Sequence, residues 1–130
     1  MKKILKNNFK DKRGMILDIF VNKPKDHCTL VTFNKGAIRG NHYHKKSTQY
    51  SFVLSGKLIM FSVKVNNNGN ITKKIKKEIL LKNSLITHKP FYAQAFKAIT
   101  KSNLLVLILG SWICIVKIFL ESIFFKYIEK

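Results

Sequence analysis

At 130 residues the chain has the length of one domain, enough for one core or one barrel. A hydrophobic fraction of 46% with ten Phe excludes a disordered chain, because so much apolar surface can offset the entropy of ordering. The formal charge of +19 suits anionic ligands in general, but its carriers are almost all Lys scattered along the chain. Without an Arg-rich face or a helix-turn-helix, zinc-finger or RNA-binding pattern, it excludes nucleic acid as the main partner.

Residues 1–8 read as a frayed basic lead, and the opening has no apolar core of the kind a signal segment carries. Arg13-Gly14 suits a turn into a strand over 15–21, and 22–26 is a loop by its Pro and polar content. Residues 28–33 alternate and are β-branched, so they form a strand, and 34–36 turn. The next stretch carries His42 and His44 in an apolar, β-branched segment. On a strand, alternate side chains share a face, so both imidazoles point into the same space and Tyr43 points away from it. A strand over 50–54, a tight turn at Ser55-Gly56 and a strand over 58–65 follow. Asn66-Asn67-Asn68-Gly69-Asn70 is a hairpin turn, since Asn and Gly tolerate positive φ. Residues 71–81 return with Lys interleaved, as on an edge or outer strand. Residues 82–84 turn, short strands over 85–87 and 95–99 flank Pro90, 101–103 turn again, and 104–109 is an apolar strand. Short strands at regular spacing predict an all-β sandwich or barrel.

Residues 104–125 are nearly all apolar and long enough for a membrane span of about 20 residues. However, a central Lys costs roughly 2.5–3.5 kcal/mol on insertion scales, and Lys117 and Glu121 are spaced like a helix-surface ion pair. The expectation is a last barrel strand, a break at Gly110-Ser111, and then a strand or helix packing on the barrel or on a partner chain, with membrane contact as the alternative. Cys28 and Cys114 are far apart and lack a CxxC pattern. They read as free thiols of a reducing cytoplasm, with a disulfide left open.

Arg13 and Arg39 are the only arginines among 25 basic residues. A chain that otherwise uses Lys keeps Arg where a planar fork is hard to replace, either on a diphosphate or, for Arg13, on neighbouring Asp11. The paired imidazoles admit three readings. They could begin a divalent metal site. They could take and return a proton, because imidazole titrates near neutral pH. They could also be hydrogen-bonded core residues.

The spacing of Gly36, His42, His44, Gln49 and Gly56 resembles the first motif of the cupin superfamily, with Gln49 where cupins carry Glu. The run Arg39-Gly40-Asn41-His42-Tyr43-His44-Lys45 with Gln49 behind it narrows the resemblance, as does Phe9-Lys10-Asp11-Lys12-Arg13-Gly14, an F-x-D-x-R-G opening. Both are similar to the dTDP-4-keto-6-deoxyglucose 3,4-ketoisomerases and, more distantly, the dTDP-4-dehydrorhamnose 3,5-epimerases. The resemblance covers 9–109. It implies a single cupin jelly-roll antiparallel β-barrel over 9–110, after the lead at 1–8 and before an atypical apolar segment at 111–130 that lacks the polar tail of these enzymes.

The same resemblance implies a cytoplasmic homodimer that isomerises or epimerises a nucleotide-linked 4-keto-6-deoxy sugar in polysaccharide synthesis, without a cofactor. His42 or His44 would be the base and the other its shuttle or orienter. Arg39 would contact the nucleotide phosphates, Gln49 would hold a sugar hydroxyl or orient an imidazole, and Gln94 and Arg13 would be further substrate contacts. Gln94 stands where the second cupin motif carries its third His. A metal-binding cupin of other chemistry would have to use His42, His44, Gln49 and Gln94, with His88 as a substitute imidazole if the loop near Pro90 turns it inward. The remaining alternative is a non-catalytic sugar- or anion-binding barrel.

Overall fold

The structure is a computed structural model that describes residues 1–21, 25 and 27–109, with the backbone of 115–117. Twelve strands and no helix make up these residues: β1 (Lys2–Ile4), β2 (Phe9–Asp11), β3 (Gly14–Ile16), β4 (His27–Phe33), β5 (Ile38–His44), β6 (Thr48–Ser55), β7 (Leu58–Lys64), β8 (Lys76–Leu80), β9 (Ser84–His88), β10 (Tyr92–Ala98), β11 (Ser102–Leu109) and β12 (Ile115–Lys117). One sheet has the order β1-β9-β6-β11-β4, the other β12-β5-β10-β7-β8, and β2-β3 is a separate hairpin. Neighbouring strands pair antiparallel throughout.

Period-2 patterning produces this arrangement. Along β11, Ser102, Leu104, Val106 and Ile108 are buried, while the residues between them are less so. The buried set meets Phe33, Val53 and Ile86 of its own sheet and Leu58, Met60, Leu80, Phe96 and Ala98 of the facing sheet. This is the core between the sheets, and burying each large side chain contributes about 1.5–3 kcal/mol. A second cluster lies on the other face of the β5-β10-β7 sheet, where Tyr43, Phe61, Val63, Val65, Ala93 and Ala95 pack against Ile71 and Ile75. Tyr43 is therefore on the face opposite the histidines, as alternation requires.

Three expectations change. The opening residues contribute an edge strand, because β1 finds an open ladder on β9 (Lys2↔Ile86, Ile4↔Ser84). The strand expected over 15–21 ends at Ile16, where its β2 partner runs out. Phe20 instead packs edge-on to Tyr50 at 5.1 Å, with the Lys25 ammonium 4.4 Å and 4.7 Å from the two rings. The strand expected over 71–81 is a single Val65↔Ile71 bridge followed by β8 from Lys76. There the Asn66 carboxamide accepts from the backbone N–H groups of Asn68 and Asn70 and builds the turn from within.

In the C-terminal segment, Ile115–Lys117 adds to the β5 edge (Ile115↔His44). The break at Gly110-Ser111 and the Lys117–Glu121 pairing lie outside the described residues. No helix among the described residues is long and apolar enough to cross a membrane.

Candidate functional site

The site is built on β5, and a bulge decides which side chains it presents. Arg39 pairs with Phe96 and Gly40 with Ala95, but His42 pairs with Gln94, so Asn41 is the extra residue. Gly40 (φ 104) and Asn41 (φ 60) both have positive φ, which these two residue types tolerate. The bulge reverses the alternation. Ile38 and Tyr43 pack into the outer cluster, while Arg39 and His42 line the interior beside Gln94 and Phe96. A Cβ on Gly40 would sit 2.8 Å from the Gln94 carbonyl oxygen and 3.1 Å from the Ala95 Cα. Gly40→Ala is therefore expected to lower unfolding free energy by about 1–3 kcal/mol in denaturant titration, through strain in a conformation that Ala avoids.

The interior cavity has a volume of about 210 Å³. Its polar wall is His42, Gln49, Gln94 and Arg39; Phe33, Phe96, Leu104 and Val106 form the apolar wall. Arg39 is exposed at the rim. Its Nε–H donates to the Thr32 carbonyl (3.1 Å), and its guanidinium carbon lies 5.8 Å from the Phe33 ring centre.

The two amides differ sharply. Gln49 is engaged at both ends of its amide: its Oε1 is 3.0 Å from His44 Nε2, and its Nε2 donates to Ser51 Oγ at 3.0 Å. Gln94 is 0% exposed, and neither its Oε1 nor its Nε2 has a hydrogen-bond partner among the described residues. A buried polar group left unmatched costs about 1–3 kcal/mol, so a cavity-facing amide of this kind is suited to an incoming ligand.

The two histidines also differ. His42 is half-buried and lines the cavity, whereas His44 is buried beside it, with ring centres 5.3 Å apart and edge-to-face. Burial pushes the His44 pKa down, and its bond to Gln49 partly opposes this. Ser51 Oγ continues to His88 Nε2 at 3.2 Å. His88 is pushed down to about 3 by burial, and to a lesser degree by the positive charge of the Met1 amino group and by His42 and His44.

The structure thus brings Arg39, His42, Gln49 and Gln94 to one cavity and sets His44 next to it. It does not bring Arg13 there. Arg13 sits on the β2–β3 hairpin, paired to Asp11 through its Nη2 (2.7 Å) and Nε (3.0 Å). That pair and the neighbouring backbone bond hold the Asp11 carboxyl below its usual range. Sequence reasoning missed Ser51, although its place two residues after Gln49 puts both on one strand face. It weighed His88 only as a metal ligand.

A metal fits this donor set poorly. Among the described residues no group of three or more His, Cys, Asp or Glu could hold a metal ion. His42, His44, Gln49 and Gln94 offer no negative charge, and the Gln49 oxygen is already committed to His44.

Two facing antiparallel sheets with a histidine-bearing strand lining the space between them form the cupin jelly roll. The chain belongs to the polysaccharide biosynthesis C-terminal domain family, which matches residues 9–114. Similar solved structures include the dTDP-4-dehydrorhamnose 3,5-epimerase of Sulfolobus tokodaii, 24% identical over 79% of this chain and 66% of the enzyme (TM-score 0.70). The 3,4-ketoisomerase of Thermoanaerobacterium thermosaccharolyticum, solved as a mutant in complex with TDP-4-keto-6-deoxyglucose, is 19% identical over 99% of this chain and 91% of the enzyme (0.73). A 3'-monoepimerase of Streptomyces bikiniensis, bound to dTDP-quinovose, is 16% identical over 89% and 67% (0.75). The chain spans less than two thirds of the length of the first of these. No curated protein sequence matches it.

Proposed function

We propose that the chain isomerises or epimerises a nucleotide-linked 4-keto-6-deoxy sugar by proton transfer at the His42–His44 pair. The observation that carries this reading is the cavity itself, where a half-buried imidazole faces a buried, unmatched amide and an exposed guanidinium stands at the rim. At about 210 Å³ it is smaller than the roughly 300–1,000 Å³ that encloses a drug-sized ligand. It suits a sugar ring, with the nucleotide left outside and its diphosphate on the Arg39 fork.

An α-hydroxyketone presents an acceptor and a donor side by side. The Gln94 amide matches it, with Nε2–H toward the carbonyl oxygen and Oε1 accepting from the hydroxyl. His42 removes the proton on ring carbon 3, which is acidified by the carbonyl at carbon 4. The C–H electron pair forms the C3=C4 bond, and the charge moves to the carbonyl oxygen against Gln94. Delivering the proton to carbon 4 while the carbon-3 hydroxyl passes its own proton to the carbon-4 oxyanion moves the carbonyl to carbon 3 and leaves a hydroxyl on carbon 4. Returning the proton to the opposite face of carbon 3 inverts that centre. Both routes need only proton movements, for which neutral imidazole is suited.

A homodimer fits this reading, because Leu30, 60% exposed, and the half-buried Leu105 beside it form an apolar pair on the outer face of their sheet. The free, exposed Cys28 thiol accords with a reducing cytoplasm.

The test is deuterium incorporation by NMR, with dTDP-4-keto-6-deoxyglucose and purified protein in D₂O, with and without a chelator. Exchange at ring carbon 3 that survives the chelator is the expected result. Exchange abolished by the chelator would transfer the chain to the metal-dependent cupins, and no exchange with this substrate would overturn the reading.

A further inference from the structure

A buried hydrogen-bonded chain crosses the interior behind the cavity wall. It runs from His44 Nε2 to Gln49 Oε1 (3.0 Å), from Gln49 Nε2 to Ser51 Oγ (3.0 Å), and from Ser51 Oγ to His88 Nε2 (3.2 Å). Its four members are between 0% and 4% exposed. They come from three strands, β5, β6 and β9, so the chain also ties one sheet to the other. On its far side His88 borders a second cavity of about 250 Å³ with Met60, Ser62 and Thr87.

The chemistry of the links sets the direction of every proton. A carboxamide oxygen can only accept, so His44 must carry its hydrogen on Nε2. The carboxamide nitrogen donates to Ser51 Oγ, and the acceptor that the chain offers the serine's own hydrogen is His88 Nε2, which assigns the hydroxyl as donor and His88 Nε2 as the lone pair. His88 therefore carries its proton on Nδ1. Its Nε2 lone pair is present at neutral pH, because burial holds the ring neutral down to about pH 3. A glutamine amide does not pass protons along as water or imidazole does, so the chain orients groups rather than conducting.

We propose that Ser51 and His88 are positioning residues of the cavity. Through Gln49 they hold His44 as the tautomer protonated on Nε2, with its lone pair on Nδ1, and they fix the Gln49 amide so that Gln94 is the amide that meets a ligand. The use of that tautomer, a basic Nδ1 next to His42, rests on the proton-transfer reading above. The tautomer itself does not.

Long-range ¹H–¹⁵N correlation spectra of ¹⁵N-histidine-labelled protein, recorded at neutral pH without any sugar nucleotide, test this directly. His44 is expected to show a pyrrole-type Nε2 and a pyridine-type Nδ1, and His88 the reverse. In Ser51→Ala and in His88→Leu the two His44 shifts are expected to move toward a common average, and Ser51→Thr, which keeps the hydroxyl, is expected to restore the wild-type pair. A wild-type His44 protonated on Nδ1, or a His88 protonated on Nε2, overturns the proposal without any variant, even if one of the substitutions prevents folding. A His44 pair unchanged in either folded variant, Ser51→Ala or His88→Leu, also overturns it. Because the spectra need no substrate, failure of the isomerase reading leaves this result independent.

Discussion

His42→Asn is expected to slow deuterium exchange at ring carbon 3 by roughly 10²–10⁴-fold, the range that a positioned general base contributes. The expectation rests on where the bulge puts this side chain. His42 lines the cavity directly opposite Gln94 in the β5–β10 register, whereas its neighbour His44 is buried and committed to Gln49. Asn keeps a polar group of moderate size but has no lone pair that can hold a proton near neutral pH. Binding should change less than rate, because Gln94 and Arg39, which meet the sugar and its diphosphate, are untouched. The measurement is single-turnover exchange at saturating sugar nucleotide, with the dissociation constant read separately by calorimetry. A variant that exchanges at the wild-type rate would remove His42 from the chemistry. One that loses binding and rate in equal proportion would make it a contact and not a base.

Stability is expected to fall as the pH drops from 6.5 toward 3, by roughly 4–5 kcal/mol from His88 alone. The ring is displaced from 6.5 to about 3 in the folded protein, first by burial and then by the Met1 amino group and the two site histidines. The Phe96 ring, perpendicular with its centre 6.0 Å away, and Ser51 Oγ also lie close to it, and neither carries a negative charge that would offset a cation. Above pH 6.5 the ring is neutral in both states and no stability is lost. Between 6.5 and 3 the unfolded chain takes up a proton that the folded chain refuses, so unfolding becomes steadily more favourable. Below 3 both states are protonated and the loss is complete. His44, also pushed down by burial, acts in the same direction. Set against a typical total of about 5–15 kcal/mol, the effect removes a large share of the stability by pH 3. Denaturant titrations from pH 7.5 to 4 would measure it. His88→Gln, which keeps an amide toward Ser51 but cannot titrate, should flatten the slope by about one proton. A wild-type slope no steeper than that of His88→Gln would show that His88 is not the acid-sensitive group.

The strands were legible in the sequence wherever one face is buried, because a side-chain period of two is a local property of the backbone. His42 and His44 on one face and Tyr43 on the other follow from that period, and the structure keeps them so. Chain ends were less legible, since residues 2–4 become a strand only by adding to an open edge on β9. Residues 71–75 were also less legible, because pairing beyond the Asn66–Asn70 turn is limited to the Val65↔Ile71 bridge and resumes at Lys76.

The sequence by itself determined an all-β chain with two histidines on one strand face and a cluster of turn-forming asparagines. Only the tertiary structure decided what those histidines meet. Simple alternation would set Arg39 with Tyr43, and the extra residue of the Gly40-Asn41 bulge carries it across to His42, at a place where the β10 backbone leaves no room for a Cβ on residue 40. Only the packed sheets separate Gln49, held between His44 and Ser51, from Gln94, buried with both polar atoms unmatched. Only they return Arg13 to Asp11 and bring His88, 37 residues along the chain from Ser51, to its hydroxyl. The physical reason is common to all of these. Alternation is set within a few residues, but hydrogen-bond partners in a low-dielectric interior are chosen by whichever groups the sheet register brings within about 3 Å.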